Sequence, residues 1–116
     1  MAAKILLVDD SKVARMAARR LILSTLPDAV VLDTGKLDEV FPLVAEHDFN
    51  LVVLDYNMPE EDGLNLGSRL KEAFPRQRLA LLTANVQETI VQRAHGLGLF
   101  FLSKPLKPEA LLAALA

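Results

Sequence analysis

Five side chains with the chemistry of phosphoryl and metal sites stand where apolar runs stop. Ile5-Leu6-Leu7-Val8 ends in Asp9-Asp10, Leu51-Val52-Val53-Leu54 ends in Asp55, Leu79-Ala80-Leu81-Leu82 ends in Thr83, and Phe100-Phe101-Leu102 leads to Lys104-Pro105. Three carboxylates offer hard oxygen ligands to a divalent cation. A hydroxyl and an ammonium can neutralise the oxygens of a transferring phosphoryl group. Singly, each has an ordinary reading: paired aspartates after a strand make a turn and a helix cap, a threonine makes a cap, and a lysine is a solvated charge. The chemistry requires that they converge.

The elements that would position them point that way. Apolar runs of four or five residues mark strands buried on both faces, as in a parallel sheet, and such a sheet binds ligands at the carboxyl ends of its strands. Strand-like and helix-like stretches alternate five times, which predicts an α/β architecture with right-handed crossovers. A first helix follows Asp10-Ser11, either of which can cap it, and runs to about Ser24 with Val13, Ala17, Leu21 and Ser24 on its inner stripe. Ala29 to Leu32 reads as the second strand. The second helix covers about Asp38 to His47 with Val40, Phe41 and Val44 inward; Pro42 requires it either to start late or to kink. Gly63 opens a third helix that runs to about Ala73. Val86, Ile90 and Ala94 mark a fourth, with Gly96 as terminator, and Pro108 to Ala116 a short fifth.

Composition narrows the function. The 116 residues make one domain, and a hydrophobic content of 52% is ample for one core. A net charge of −2, one Tyr and no Trp provide neither the basic footprint nor the stacking platform for binding nucleic acid directly. The absence of cysteine excludes disulfides, thiolate metal sites and a Cys nucleophile, and leaves His47 and His95 as the imidazoles. After Met1-Ala2-Ala3-Lys4 come only four apolar residues, and no run approaches the roughly 18 that a membrane span requires. The expectation is a soluble, cytoplasmic protein without membrane contact.

In order and identity, Val8-Asp9-Asp10, Leu54-Asp55-Tyr56-Asn57-Met58-Pro59 with Asp62-Gly63, Leu82-Thr83-Ala84 and Lys104-Pro105 resemble the receiver domain of two-component response regulators. The resemblance extends over essentially the whole chain, 1–116. It implies a doubly wound five-stranded parallel sheet of flavodoxin-like order 2-1-3-4-5 with five helices. It makes Asp55 the phosphoacceptor, attacking a phosphorus atom delivered by a phosphohistidine of a histidine kinase or a histidine phosphotransfer protein. Crowded carboxylates oppose one another's ionisation, and a cation relieves that conflict. Mg2+ is the cofactor implied, with Asp10, Asp55 and the backbone carbonyl of Asn57 as direct ligands and Asp9 acting mostly through water. Thr83, Lys104 and the backbone N–H groups near Ala84 and Asn57 would hold phosphoryl oxygens. Pro105 resembles the family's cis peptide, holding the lysine inward. Gly63 is read as a position of special backbone conformation or close approach.

The resemblance also implies a switch. Phosphorylation would draw Thr83 inward and let Phe101 rotate into the space vacated, changing the surface of the fourth helix, fifth strand and fifth helix; Phe101 lacks a tyrosine's hydroxyl. Asn57 and Asn85 sit where relatives tune hydrolytic water, and two neutral amides predict slow to intermediate self-dephosphorylation. The chain would catalyse only its own phosphorylation and dephosphorylation. Arg15, Arg19 and Arg20 form a basic edge on the first helix, where the family docks its phosphodonor; a solvated helix face is the equal alternative.

Other readings stand beside this one. A pseudo-receiver would share the fold and act by protein contact without phosphate. An aspartate-nucleophile phosphatase needs an acid where Asn57 stands, and a flavin carrier would place a phosphate-binding loop where the first strand leads into acids. The apolar end, Leu111-Leu112-Ala113-Ala114-Leu115-Ala116, looks like a cut helix. It leaves open a receiver excised from a longer regulator with a missing output domain, or a stand-alone receiver with a downstream protein target. A homodimer through the fourth helix, fifth strand and fifth helix is also open.

Overall fold

The computed structural model describes residues 2–116; Met1 lies outside them. Five parallel strands, β1 (Lys4–Val8), β2 (Val30–Thr34), β3 (Leu51–Asp55), β4 (Leu79–Thr83) and β5 (Phe100–Ser103), form one sheet in the order β2-β1-β3-β4-β5. The helices are α1 (Lys12–Thr25), α2 (Val40–Glu46), α3 (Gly63–Ala73), α4 (Glu88–Gly96) and α5 (Pro108–Leu115). This is the flavodoxin-like arrangement expected.

Alternation along the strands sorts the core into two layers. Leu6, Val8, Val52, Leu54, Leu79 and Leu81 pack with Val40, Leu64, Leu66, Leu70, Ile90 and Ala94, so α2, α3 and α4 cover one face. Ile5, Leu7, Leu51, Val53, Ala80 and Leu82 pack with Ile22, Leu111 and Ala114, so α1 and α5 cover the other. All strand residues of β3 and β4 are buried, which is why those runs carry no polar alternation.

Several local expectations are corrected. In α1 the inward position is Ile22, while Val13 is 78% exposed and Ala17 and Ser24 are exposed too. The inner stripe is rotated by one residue, because alanines at 14 and 18 let the helix lie close to the sheet and Val13 falls outside that face. β2 extends two residues past Leu32. The Pro42 conflict resolves as a late start: a 3-10 turn, Leu37–Glu39, precedes α2, and Pro42 occupies the first turn, where no intrahelical donor is needed. Val86 is 63% exposed and precedes α4. α4 ends at Gly96 as expected, and the left-handed residue that follows it is Gly98, at φ +79.

Candidate functional site

Strand register brings the polar residues to one rim. Val8 pairs with Leu54, so Asp9 and Asp55 leave the sheet side by side; Asp55 pairs with Leu82 and Thr83 with Ser103, which puts Thr83 and Lys104 one step further out. The Lys104 N–H donates to the Thr83 carbonyl at 3.0 Å and continues that ladder. The Lys104-Pro105 peptide is cis.

Carboxylate oxygens of Asp9, Asp10 and Asp55 lie within 4.8 Å of one another. Asp9 and Asp55 are buried and Asp10 is exposed, giving the cluster a dry floor and a wet mouth. Lys104 Nζ lies 2.7 Å from Asp55 Oδ1 and 3.5 Å from Asp9 Oδ2. The other Asp9 oxygen accepts from the Ser11 N–H at 2.9 Å, and Ser11 Oγ in turn caps α1 by accepting from Ala14.

One ammonium against three carboxylates leaves a surplus of negative charge. Burial holds the Asp55 carboxyl above the usual carboxylate range; Lys104 offsets part of that, and the Asp9 and Asp10 charges add to it. Burial by itself would lower Lys104, but its bonds and attraction to Asp55 and Asp9 outweigh that and hold it above the usual lysine range. An all-oxygen donor set with uncompensated charge fits a hard divalent cation such as Mg2+.

The remaining predicted residues surround this cluster. Thr83 is fully buried, and its Oγ1 accepts from the Asn85 N–H at 3.0 Å. Ala84 and Asn57 are exposed, and Asn85 is half-buried with its Oδ1 accepting from the Gln87 N–H. Phe101 is half-buried against the α2–α4 layer, the layer Thr83 also faces by alternation with Leu79 and Leu81. Gly63 is a point of close approach: a Cβ there would stand 2.4 Å from the Asp55 carbonyl oxygen and 2.8 Å from Leu81 Cδ1. Its N–H donates to the Tyr56 carbonyl, and Asp62 caps α3 by accepting from Asn65.

The basic edge of α1 is not as expected. Arg15 Nε donates to Asp33 Oδ1 at 2.9 Å, Arg19 binds the other Asp33 oxygen, and Arg15 Nη1 donates to the Asp9 carbonyl at 2.7 Å. Of the three arginines Arg20 is the most exposed, and Arg15 and Arg19 are partly buried. The signal was present: Val30-Val31-Leu32 ends in Asp33-Thr34-Gly35, the same pattern of an apolar run meeting polar residues.

Comparison with known proteins gives a consistent result. Residues 5–116 match the family model described as the response regulator receiver domain. The chain is 32% identical over 117 residues to the response regulator protein FleR of Pseudomonas aeruginosa, spanning all of this chain and 24% of that protein. It is 34% identical over 113 residues to the cyclic di-GMP phosphodiesterase response regulator RpfG of Xanthomonas campestris, spanning 94% of this chain and 30% of that one. The chain thus covers less than a third of the length of either relative. A solved signal receiver domain of an HD domain-containing protein from Pseudomonas fluorescens superposes with a TM-score of 0.82 at 28% identity, covering 98% of this chain and 84% of the other. Among the described residues no helix is long and apolar enough to cross a membrane.

Proposed function

The chain belongs to the response regulator receiver domain family, and on that premise we propose that Asp55 accepts a phosphoryl group from a phosphohistidine of a histidine kinase or histidine phosphotransfer protein. The observation that carries this reading is the convergence of three carboxylates at the strand ends with Lys104 Nζ 2.7 Å from Asp55 Oδ1. An Asp55 oxygen attacks phosphorus, a phosphorus–oxygen bond forms, the donor's phosphorus–nitrogen bond breaks, and the electron pair leaves with the imidazole. Mg2+, when bound, supplies neutralisation of the carboxylate and phosphoryl charges. Asp10, Asp55 and the Asn57 carbonyl would hold it, with Asp9 acting mostly through water.

The chain's own residues do the positioning. Lys104 pairs with a phosphoryl oxygen, and the Thr83 hydroxyl donates to another while Ala84 leaves its backbone N–H accessible. Asn57 and Asn85 supply no strong base for hydrolytic water, so the aspartyl phosphate turns over at a slow to intermediate rate. Thr83 and Phe101, on one face of the sheet, form the switch. Movement there alters α4, β5 and α5, the surface offered to a downstream protein, an output domain or a second copy. Amide exchange within residues 84–112 that changes with a phosphoryl mimic is the expected signature. A cytoplasmic location, where such phosphodonors act, belongs to the same proposal.

Intact-mass spectrometry after incubation with a small phosphodonor tests this. A magnesium-dependent gain of one phosphoryl group, abolished by Asp55→Asn, is expected. A folded chain that gains none would instead be a pseudo-receiver.

A further inference from the structure

We infer that Arg15, locked between Asp33 and the Asp9 backbone, is a positioning residue that sets the Asp9-Asp10 turn for cation binding. The inference rests on the magnesium-dependent reading above and adds to it a residue outside the acid cluster. Where β1 ends, the chain must turn sharply enough to aim two successive carboxylates over the sheet before α1 begins at Lys12. Asp9 is tied at each of its groups: its N–H donates to the Thr34 carbonyl at 3.1 Å, its Oδ1 accepts from Ser11, and its carbonyl accepts from Arg15 Nη1. The last tie comes from a side chain that is itself fixed, because Arg15 Nε is held by Asp33 on β2 and only 17% of the Arg15 side chain is exposed. A planar guanidinium can serve two acceptors at once in a way a lysine ammonium on a flexible stem does not.

A second observation points the same way. A Cβ on Gly35 would stand 2.6 Å from Arg15 Nη1 and 3.2 Å from the Asp9 carbonyl oxygen, so the bare backbone at 35 is what admits the guanidinium. Arg15, Asp33 and Gly35 therefore form one clamp joining the end of β2 to the turn that carries the acids.

Charge and position make opposite predictions, which renders the inference testable. As a bare positive charge near the acids, Arg15 would repel a cation, and removing it would tighten Mg2+ binding. As a support for the turn, its removal loosens the ligands, and groups that orient metal ligands are typically worth about 10–100-fold in affinity. Titrating 15N-labelled full chain with magnesium chloride, following the amides of Asp10 and Tyr56, gives both the affinity and a check on the fold. Arg15→Gln should weaken binding about tenfold, and Arg15→Lys should restore it only in part. Unchanged or tighter binding by a folded Arg15→Gln overturns the inference. If that variant does not fold, the Arg15→Lys affinity decides, because it keeps the charge and loses the two-acceptor geometry: weaker binding supports the clamp and wild-type binding overturns it. A wild-type chain that binds no Mg2+ overturns the functional reading and this inference with it, whereas wild-type binding with no effect of the variants overturns the clamp alone.

Discussion

At the carboxyl ends of β1 to β4 the molecule buries Asp9, Thr34, Asp55 and Thr83, all the polar residues buried among those described. At the amino ends its polar side chains lie nearer the surface and tie loops together. There the Lys4 N–H donates to Asn50 Oδ1 and the Asn50 N–H returns to the Lys4 carbonyl, both at 2.7 Å. Gln77 Nε2 donates to the Phe49 carbonyl, and Arg78 Nη1 donates to the carbonyls of Ala114 and Ala116. The first arrangement holds carboxylates in surplus over cations inside the fold, which opposes folding. The second satisfies backbone carbonyls and favours it. A site that must bind a cation and a phosphoryl group keeps its charge unbalanced, and the opposite end helps hold the fold that tolerates it.

The sharpest way to break this comparison is Asp55→Asn. Burial raises the Asp55 carboxyl above its ordinary value of 3.8, so its ionised form is less favourable in the folded chain than in the unfolded one. That penalty is absent below pH 3.8, grows as pH rises from there to the folded value, and is fully present above it. Asp55→Asn removes it, and Lys104 still faces Asp9 at 3.5 Å. Phosphorylation should be lost entirely while the Tm at neutral pH, without metal, rises. A lower Tm by thermal denaturation would mean that the Asp55–Lys104 pair stabilises the fold, and the contrast between the two ends would fail.

Gly63→Ala should damage both properties. The added methyl meets the Asp55 carbonyl at 2.4 Å, and backbone there cannot yield as a flexible side chain would. Overpacking of this kind costs about 3 kcal/mol, measurable as a reduced urea midpoint, and the displaced Asp55 should phosphorylate more slowly. Wild-type stability would show that α3 shifts freely relative to β3.

How far the site was legible follows from these same residues. Asp9, Asp10 and Asp55 were readable because they close uninterrupted apolar runs, and a buried parallel strand leaves few other patterns for such a run, whereas Lys104 stands one residue beyond its run, after Ser103, and was readable through the Lys104-Pro105 pair. Gly63 was readable as a special position, although its sequence left conformation and close approach undecided. The face of α1 was not legible: Val13 resembles a core residue, but the small Ala14 and Ala18 bring the helix close, and no local pattern distinguishes a valine at the core from one beside it. Arg15 read as a docking charge because its partner, Asp33, is far along the chain and β2 appeared to stop at Leu32. Pairing of β2 with β1 sets Asp33 level with Leu7, within reach of the Arg15 side chain on α1, and that register is a property of the folded sheet.

At the amino ends, Arg78→Ala should lower stability by about 1–2 kcal/mol through loss of its bonds to the carbonyls of Ala114 in α5 and of Ala116 beyond it, and of its packing 5.7 Å from the Phe100 ring centroid. The phosphorylation rate should stay at the wild-type level, and a loss of rate beyond that explained by unfolding would show that the two ends are coupled through β5.

The smallest effect refines the comparison within the carboxyl end itself. Asp33 lies near the site yet behaves as the amino end does: its hydrogen bond to Arg19, with further help from Arg15, outweighs burial and holds its carboxyl below 3.8. A depressed carboxyl contributes stability that is present above the unfolded value and is lost as pH falls through the folded one, the opposite slope to that of Asp55. Arg19 is 38% exposed, so solvent screens the pair and its contribution should stay below about 1 kcal/mol. Equilibrium denaturation followed from pH 6 down to about pH 2 should therefore show a shallower acid loss for Asp33→Asn than for wild type, and a steeper one for Asp55→Asn. Parallel curves for the three proteins would mean that neither carboxylate differs between folded and unfolded chains, and the division between balanced and unbalanced charge would have to be drawn elsewhere.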